Sequence, residues 1–392
     1  LVMTNHHCAR ESGTAVQKPG EDFNKNGFSA LTLEEERKVP GLYVDQLVKI
    51  EDITSRVQKA MDAGKTDDEK IRQRTAEFEA IKKEYSEKPE WSGLQLQTIT
   101  FYWGGKYSLY GFKRYNDVRL VVMPELALGF FGGDYDNFTY PRYCLDFSFF
   151  RVYDDTGKPL KPSHYFKFNP RGAEEGEAVF VIGNPGSTNR QATVAILEYM
   201  RDYPWPTVID RLTARAGILE EHNRIADNDT IENEIFSYRN SIKAISGMQE
   251  GLEDSYVMAR RKSFEKNFKA EVSKKPKLKP KLSLWDEIAA TQSGIRDNYY
   301  NYALLLPNGL NSDAFDLGNV FYMYATAADA REKEQMKQFI TDYKKPVSPE
   351  VEKKFLAQHF AEVMKYMKAD DPYVQLIKGI RDKGRASLEY PK

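Results

Sequence analysis

Over the first fifty positions the apolar residues come in short runs broken by Gly20, Asn26-Gly27 and Pro40-Gly41, a texture that predicts strands and turns. The pattern changes at Ile53. There Ile53, Val57, Ala60 and Met61, then Ile71, Phe78 and Ile81, recur at helical spacing among charges and predict an amphipathic helical excursion over residues 53–87, interrupted near Gly64. Strand character returns at Leu96–Trp103, Ser108–Phe112, Arg119–Met123, Leu145–Tyr153 and Ala178–Ile182, stretches rich in Tyr, Phe, Val and Thr. Short strands at this spacing favour a barrel or sandwich over a parallel sheet. After Ala192, and above all from Thr207, long charged stretches with helical period dominate, with breaks near Asn228, Pro276, Pro307 and Pro346. The Lys/Pro run Lys274–Lys281 reads as a solvated loop, and there is no internal repeat.

Composition narrows the classes. A chain of 392 residues with 41% hydrophobic and 13% aromatic content can build two or three real cores. Lys plus Arg (57) nearly cancels Asp plus Glu (58), so no overall field draws the chain onto nucleic acid or an anionic membrane. No stretch is long and apolar enough for a membrane span, and no secretory leader pattern is visible. Leu1-Val2-Met3 reads as the inside of a buried strand, so a natural start upstream is expected. Cys8 and Cys144 have no zinc-ligand spacing and leave a single disulfide open.

The first residues that can carry chemistry are Thr4-Asn5-His6-His7-Cys8. Chymotrypsin-like peptidases present their general-base histidine at the end of a strand in a Thr-x-x-His-Cys context, and an imidazole with a pKa of about 6.5 exchanges protons near neutrality. His7, directly before Cys8, matches that position. A second motif is the turn-rich run Gly132–Asp146 leading into the apolar strand from Phe147. A carboxylate entering such a strand must be paired, because burying it alone costs several kcal/mol. A histidine Nδ1–H is the usual partner in a triad, which makes Asp146 the candidate acid. Asp134 and Asp136 beside the glycines read as Asx-turn residues. A metal-dependent hydrolase using His6, His7 and Asp134 or Asp136 is awkward, since neighbours on a strand point to opposite faces.

Thr4–Cys8, Asn26-Gly27-Phe28, Leu31–Glu36, Pro40–Val48, Phe130–Tyr153 and Gly183-Asn184-Pro185-Gly186-Ser187-Thr188, spread in order over half the chain, resemble the bacterial dipeptidyl-peptidase 7 and dipeptidyl-peptidase 11 family of serine peptidases. The resemblance implies a β plus α fold: a chymotrypsin-like double β-barrel, incomplete here, in residues 1–195, with an inserted α-helical cap domain in residues 196–392. It implies a serine exopeptidase that releases dipeptides from oligopeptides with a free N-terminus. His7 is then the general base and Asp146 its orienting acid, with no cofactor and no metal. Asn137 and Phe138 would hold the substrate ammonium, joined by Asn240 from the helical region; in the family the aromatic is commonly Trp, and a phenyl ring makes a weaker cation-binding wall. The family's serine sits in a Gly-Asn-Ser-Gly or Gly-Asp-Ser-Gly turn, which this chain lacks; in Gly183-Asn184-Pro185-Gly186-Ser187 a proline occupies the serine position. The nucleophile is therefore expected outside this chain and residues 1–392 inactive alone. A catalytically inactive peptide-binding relative is the alternative. Homodimers and a periplasmic or cell-surface location are further implications of the resemblance.

Overall fold

The short apolar runs near the N-terminus do pair as strands, but helices come between them. In the computed structural model, residues 1–129, 137–139, 141–181, 192–327, 329–343 and 348–389 are described. The chain divides into two units, Leu1–Ala178 and Val179–Lys392. In chain order the first unit contains β1 (Val2–Thr4), α1 (His6–Thr14), α2 (Phe23–Asn26), β2 (Phe28–Ser29), β3 (Arg37–Lys38) and β4 (Val44–Asp52). It continues with α3 (Thr54–Asp62), α4 (Asp67–Ser86), β5 (Gln95–Phe101), β6 (Lys106–Tyr115), β7 (Asp117–Met123), α5 (Leu126–Gly129) and β8 (Ser148–Tyr153).

These strands form two antiparallel sheets. One has the order β1-β8-β7-β2, with β3 also on β7; the other has the order β4-β6-β5, and neither closes into a barrel among the described residues. The period-3.6 stripe beginning at Ile53 becomes α3 and α4. Their apolar face, Val57 and Ile81, packs with Ile53, Trp91, Tyr107 and Leu109 over the β4-β6-β5 sheet. Thr66 starts α4 with a capping box to Glu69, which explains why the helix resumes two residues after Gly64. The other sheet buries Val118, Leu120, Met123 and Phe150 against Ala9 of α1 and Phe23 of α2.

Three expectations from the sequence change. His6 and His7 lie in the first turn of a helix rather than on a strand. Leu1 and Met3 are exposed rather than buried, Leu1 preceding β1 and Met3 lying on it, with β8 as the only strand paired to β1 among the described residues. Ala178–Val181 form no strand, and Val179, Phe180 and Val181 are exposed: a β-forming run becomes a strand only where a neighbour accepts its backbone hydrogen bonds, and none is present among the described residues. Ile182 and Pro346 lie outside the described residues.

The second unit is helical: α6 (Val194–Asp202), α7 (Pro204–Ala226), α8 (Asp229–Glu253), α9 (Ser255–Ser273), α10 (Ser283–Leu305), α11 (Asp313–Thr326), α12 (Ala330–Asp342), α13 (Pro349–Tyr366) and α14 (Pro372–Glu389). The Asn228 side chain caps α8, which is the physical content of the break near that residue. Two buried guanidiniums of α7 clamp the turn between α10 and α11. Arg211 donates to the Glu362 carboxylate, the Ala303 carbonyl and the Asn311 side chain; Arg215 donates to the Asn311 carbonyl. Asn311 in turn donates to Asp316.

His359 of α13 is fully buried beside this clamp, and among the described residues neither ring nitrogen has a hydrogen-bond partner. Burial and the neighbouring Arg211 and Arg215 charges push its pKa down from 6.5 to about 4. The unfolded chain therefore takes up the proton first, so the stability this residue contributes is complete above pH 6.5 and is lost as pH falls toward 4. Burial raises the Glu362 and Asp316 carboxyls, which shift stability in the opposite sense, so a comparison with His359→Phe isolates the histidine. In urea unfolding, the stability advantage of His359→Phe over the parent should grow by on the order of 2–3 kcal/mol between pH 7 and pH 4.

Candidate active site

The site is built where β1 turns into α1 opposite the lead-in to β8. β1 pairs with β8 in the register Val2↔Phe150, Met3↔Phe149 and Thr4↔Ser148. One more pair carries that register past the strand ends to Asn5 and Phe147, and the next brings His6 opposite Asp146. Ser148 Oγ donates to the Asn5 carbonyl at 3.0 Å, and Leu145 N donates to the Leu128 carbonyl of α5 at 2.8 Å, so both sides of the crossing are fastened.

Asp146 therefore sits at the mouth of α1 rather than inside its strand. Its Oδ1 accepts from His6 N at 2.9 Å and from His7 N at 3.5 Å, two of the first N–H groups that an α-helix leaves unpaired. Its Oδ2 accepts from Asn5 Nδ2 at 2.8 Å. Among the described residues this gives the carboxylate, only 6% exposed, fixed donors on both oxygens at the positive end of a helix. His7 Nδ1 stands 3.4 Å from Oδ1 while the ring is about half exposed at 48%. The distance is longer than a formed hydrogen bond.

The two adjacent histidines have opposite environments. His6 is buried, its Nε2 lies 2.9 Å from the Pro124 carbonyl, and its ring lies so close over Gly129 that a Cβ there would come within 2.5 Å of it. Burial pushes the His6 pKa below the ordinary histidine range. The His6 ring thus faces Pro124 and Gly129, whereas the His7 ring stands beside Asp146. Among the described residues no three His, Cys, Asp or Glu side chains gather as a metal-binding group.

The remaining sequence candidates divide between the two units. Asn137 is buried and Phe138 is 61% exposed, on the loop that leads to Asp146. Phe138 adopts φ of 59°, a left-handed conformation that is unfavourable for an aromatic residue and recurs at functional loops. Asn240 is exposed on α8 of the second unit. Cys8 and Cys144 are both free thiols. Asp134, Asp136 and Gly183–Ser187 lie outside the described residues. Asn5, quoted in the sequence motif without a role, touches Asp146 directly; its part depends on a partner 141 positions away, so no local signal could have shown it.

The sequence profile of the peptidase S46 family matches residues 1–388. The chain is 30% identical over 289 residues to dipeptidyl-peptidase 7 of Phocaeicola vulgatus, covering 69% of this chain and 39% of that protein. It is 34% identical over 215 residues to an Asp/Glu-specific dipeptidyl-peptidase of Capnocytophaga gingivalis, covering 50% of this chain and 29% of that protein. The chain thus spans only about half the length of these curated relatives, and the matched stretches cover less. Among solved structures, Porphyromonas endodontalis DPP11 in complex with the dipeptide Arg-Asp superposes with a TM-score of 0.75 at 24% identity, covering 99% of this chain and 59% of that one. The same protein with Arg-Glu gives a TM-score of 0.73 at 22% identity, covering 100% and 62%.

The contrast between the histidines is measurable. His6→Ala removes a buried ring and its hydrogen bond and should cost about 2–4 kcal/mol, whereas His7→Ala at a half-exposed position should stay within about 0.5 kcal/mol of the parent. Thermal unfolding followed by circular dichroism distinguishes them, and equal losses would contradict the burial of His6.

Proposed function

The chain belongs to the peptidase S46 family, and we propose that it carries the His–Asp part of a serine dipeptidyl-peptidase whose nucleophilic serine lies in sequence outside residues 1–392. The observation that carries this reading is the half-exposed His7 imidazole beside a buried carboxylate whose two oxygens both have fixed donors. Its chemistry is acyl transfer. His7 takes the proton of the serine Oγ as that oxygen attacks the carbonyl of the second residue, and returns it to the leaving amine. Water then hydrolyses the dipeptidyl ester with His7 again as base. Asp146 remains a carboxylate and stabilises the imidazolium.

The substrate in this reading is an oligopeptide with a free N-terminus. Its ammonium would be held by the Asn137 side-chain oxygen and the Phe138 ring, with Asn240 as a further acceptor. Residues 1–195 then belong to a chymotrypsin-like double barrel and residues 196–392 to the helical cap that limits the enzyme to chain ends. Exposed Val179, Phe180 and Val181 favour this fold, because further barrel strands would cover them. A homodimer in the periplasm or at the cell surface fits the same family reading. No helix among the described residues is long and apolar enough to cross a membrane.

The test is the product of the complete gene, assayed on dipeptidyl-coumarin substrates with free and acetylated N-termini. It should cleave only the free form, and His7→Ala or Asp146→Ala should each lower kcat/KM by about a thousandfold or more. Residues 1–392 alone should release nothing. A complete product that lacks both a serine turn and activity would leave a peptide-binding relative in place of the enzyme.

A further inference from the structure

We infer that Asn5 is a positioning residue: its side-chain amide fixes the plane of the Asp146 carboxylate so that Oδ1 faces His7. The inference rests on the pairing of His7 with Asp146 described above. A carboxylate held through one oxygen can still rotate about its Cβ–Cγ bond. At Asp146, Oδ1 meets the His6 N–H at 2.9 Å and the His7 N–H at 3.5 Å, both from the start of α1. The second oxygen is anchored from a different direction by Asn5 Nδ2 at 2.8 Å, and that nitrogen also lies 3.5 Å from the Asp146 carbonyl. The Asn5 amide can have only this orientation, because an ionised carboxylate and a carbonyl are acceptors and its own oxygen would repel both. Asn5 is itself held by its carbonyl, which accepts from Ser148 Oγ at 3.0 Å, and Ser148 is buried in the β1–β8 pairing. A chain of contacts thus runs from the sheet through Ser148 and Asn5 to Asp146 and the His7 ring.

With the carboxylate plane fixed, Oδ1 favours a proton on His7 Nδ1, leaving Nε2 as the base toward a serine. A neutral histidine side chain in water favours the Nε2–H tautomer, so the Nδ1–H share of His7 reports the orientation directly. Nitrogen-15 imidazole spectra of residues 1–392 at pH 8 would measure it in the parent, Asn5→Ala, Asn5→Asp and Asp146→Ala. The parent should be mainly Nδ1–H and Asp146→Ala mainly Nε2–H. Asn5→Ala should lose at least half of the difference between them, and Asn5→Asp, the same shape with a second acceptor facing Asp146, should lose more. If Asn5→Ala disturbs the fold, seen as a lowered unfolding temperature, the isosteric Asn5→Asp carries the test. Parent-like spectra for both Asn5 variants, with Asp146→Ala shifted, would overturn the role of Asn5 and leave the His7–Asp146 pairing standing. A parent-like spectrum for Asp146→Ala would overturn both.

Discussion

The carboxylate of Asp146 is the point on which the first unit's site depends. It reaches across from the β8 lead-in and receives the opening N–H groups of α1, a position usually served by a side chain next to the helix start. The carboxylate that receives the start of the helix thus also stands beside the His7 ring. The site's geometry follows from the β1–β8 register, since a shift of one residue would turn Asp146 away from α1.

That dependence also marks what a sequence can reveal. The α3–α4 excursion is legible because Ile53, Val57 and Ile81 repeat at the helical period and Thr66 and Glu69 spell a capping box within four residues. The β5, β6 and β7 strands are legible from Val, Tyr, Phe and Thr. The start of α1 is not, because its cap comes from position 146 and nothing near Asn5 announces it. Nor could the pair His6-His7 declare which ring faces inward; that depends on Pro124 and Gly129, brought close by tertiary folding. Ala178–Val181 fails as a strand for the complementary reason: β propensity describes fit to a sheet, and the local sequence does not contain the neighbour.

The helical unit solves a different problem with the same means. A turn rich in Asn, Gly and Pro between α10 and α11 would ordinarily be loose, yet from α7 Arg211 donates to the Asn311 side chain and to the Ala303 carbonyl in the last turn of α10, and Arg215 donates to the Leu310 and Asn311 carbonyls. Each guanidinium offers five donors in a fixed fork, so two side chains can hold a whole turn. The arrangement is demanding, because a buried guanidinium that loses Glu362 is left with an uncompensated charge.

The exposure of Val179, Phe180 and Val181 has a consequence for handling the polypeptide. Three consecutive β-branched or aromatic residues without a covering layer among the described residues are the composition from which intermolecular strand pairing begins. With a net charge of only -1, the chain supplies little colloidal repulsion to keep copies apart, so exposed runs of this kind bear directly on how it behaves in concentrated solution.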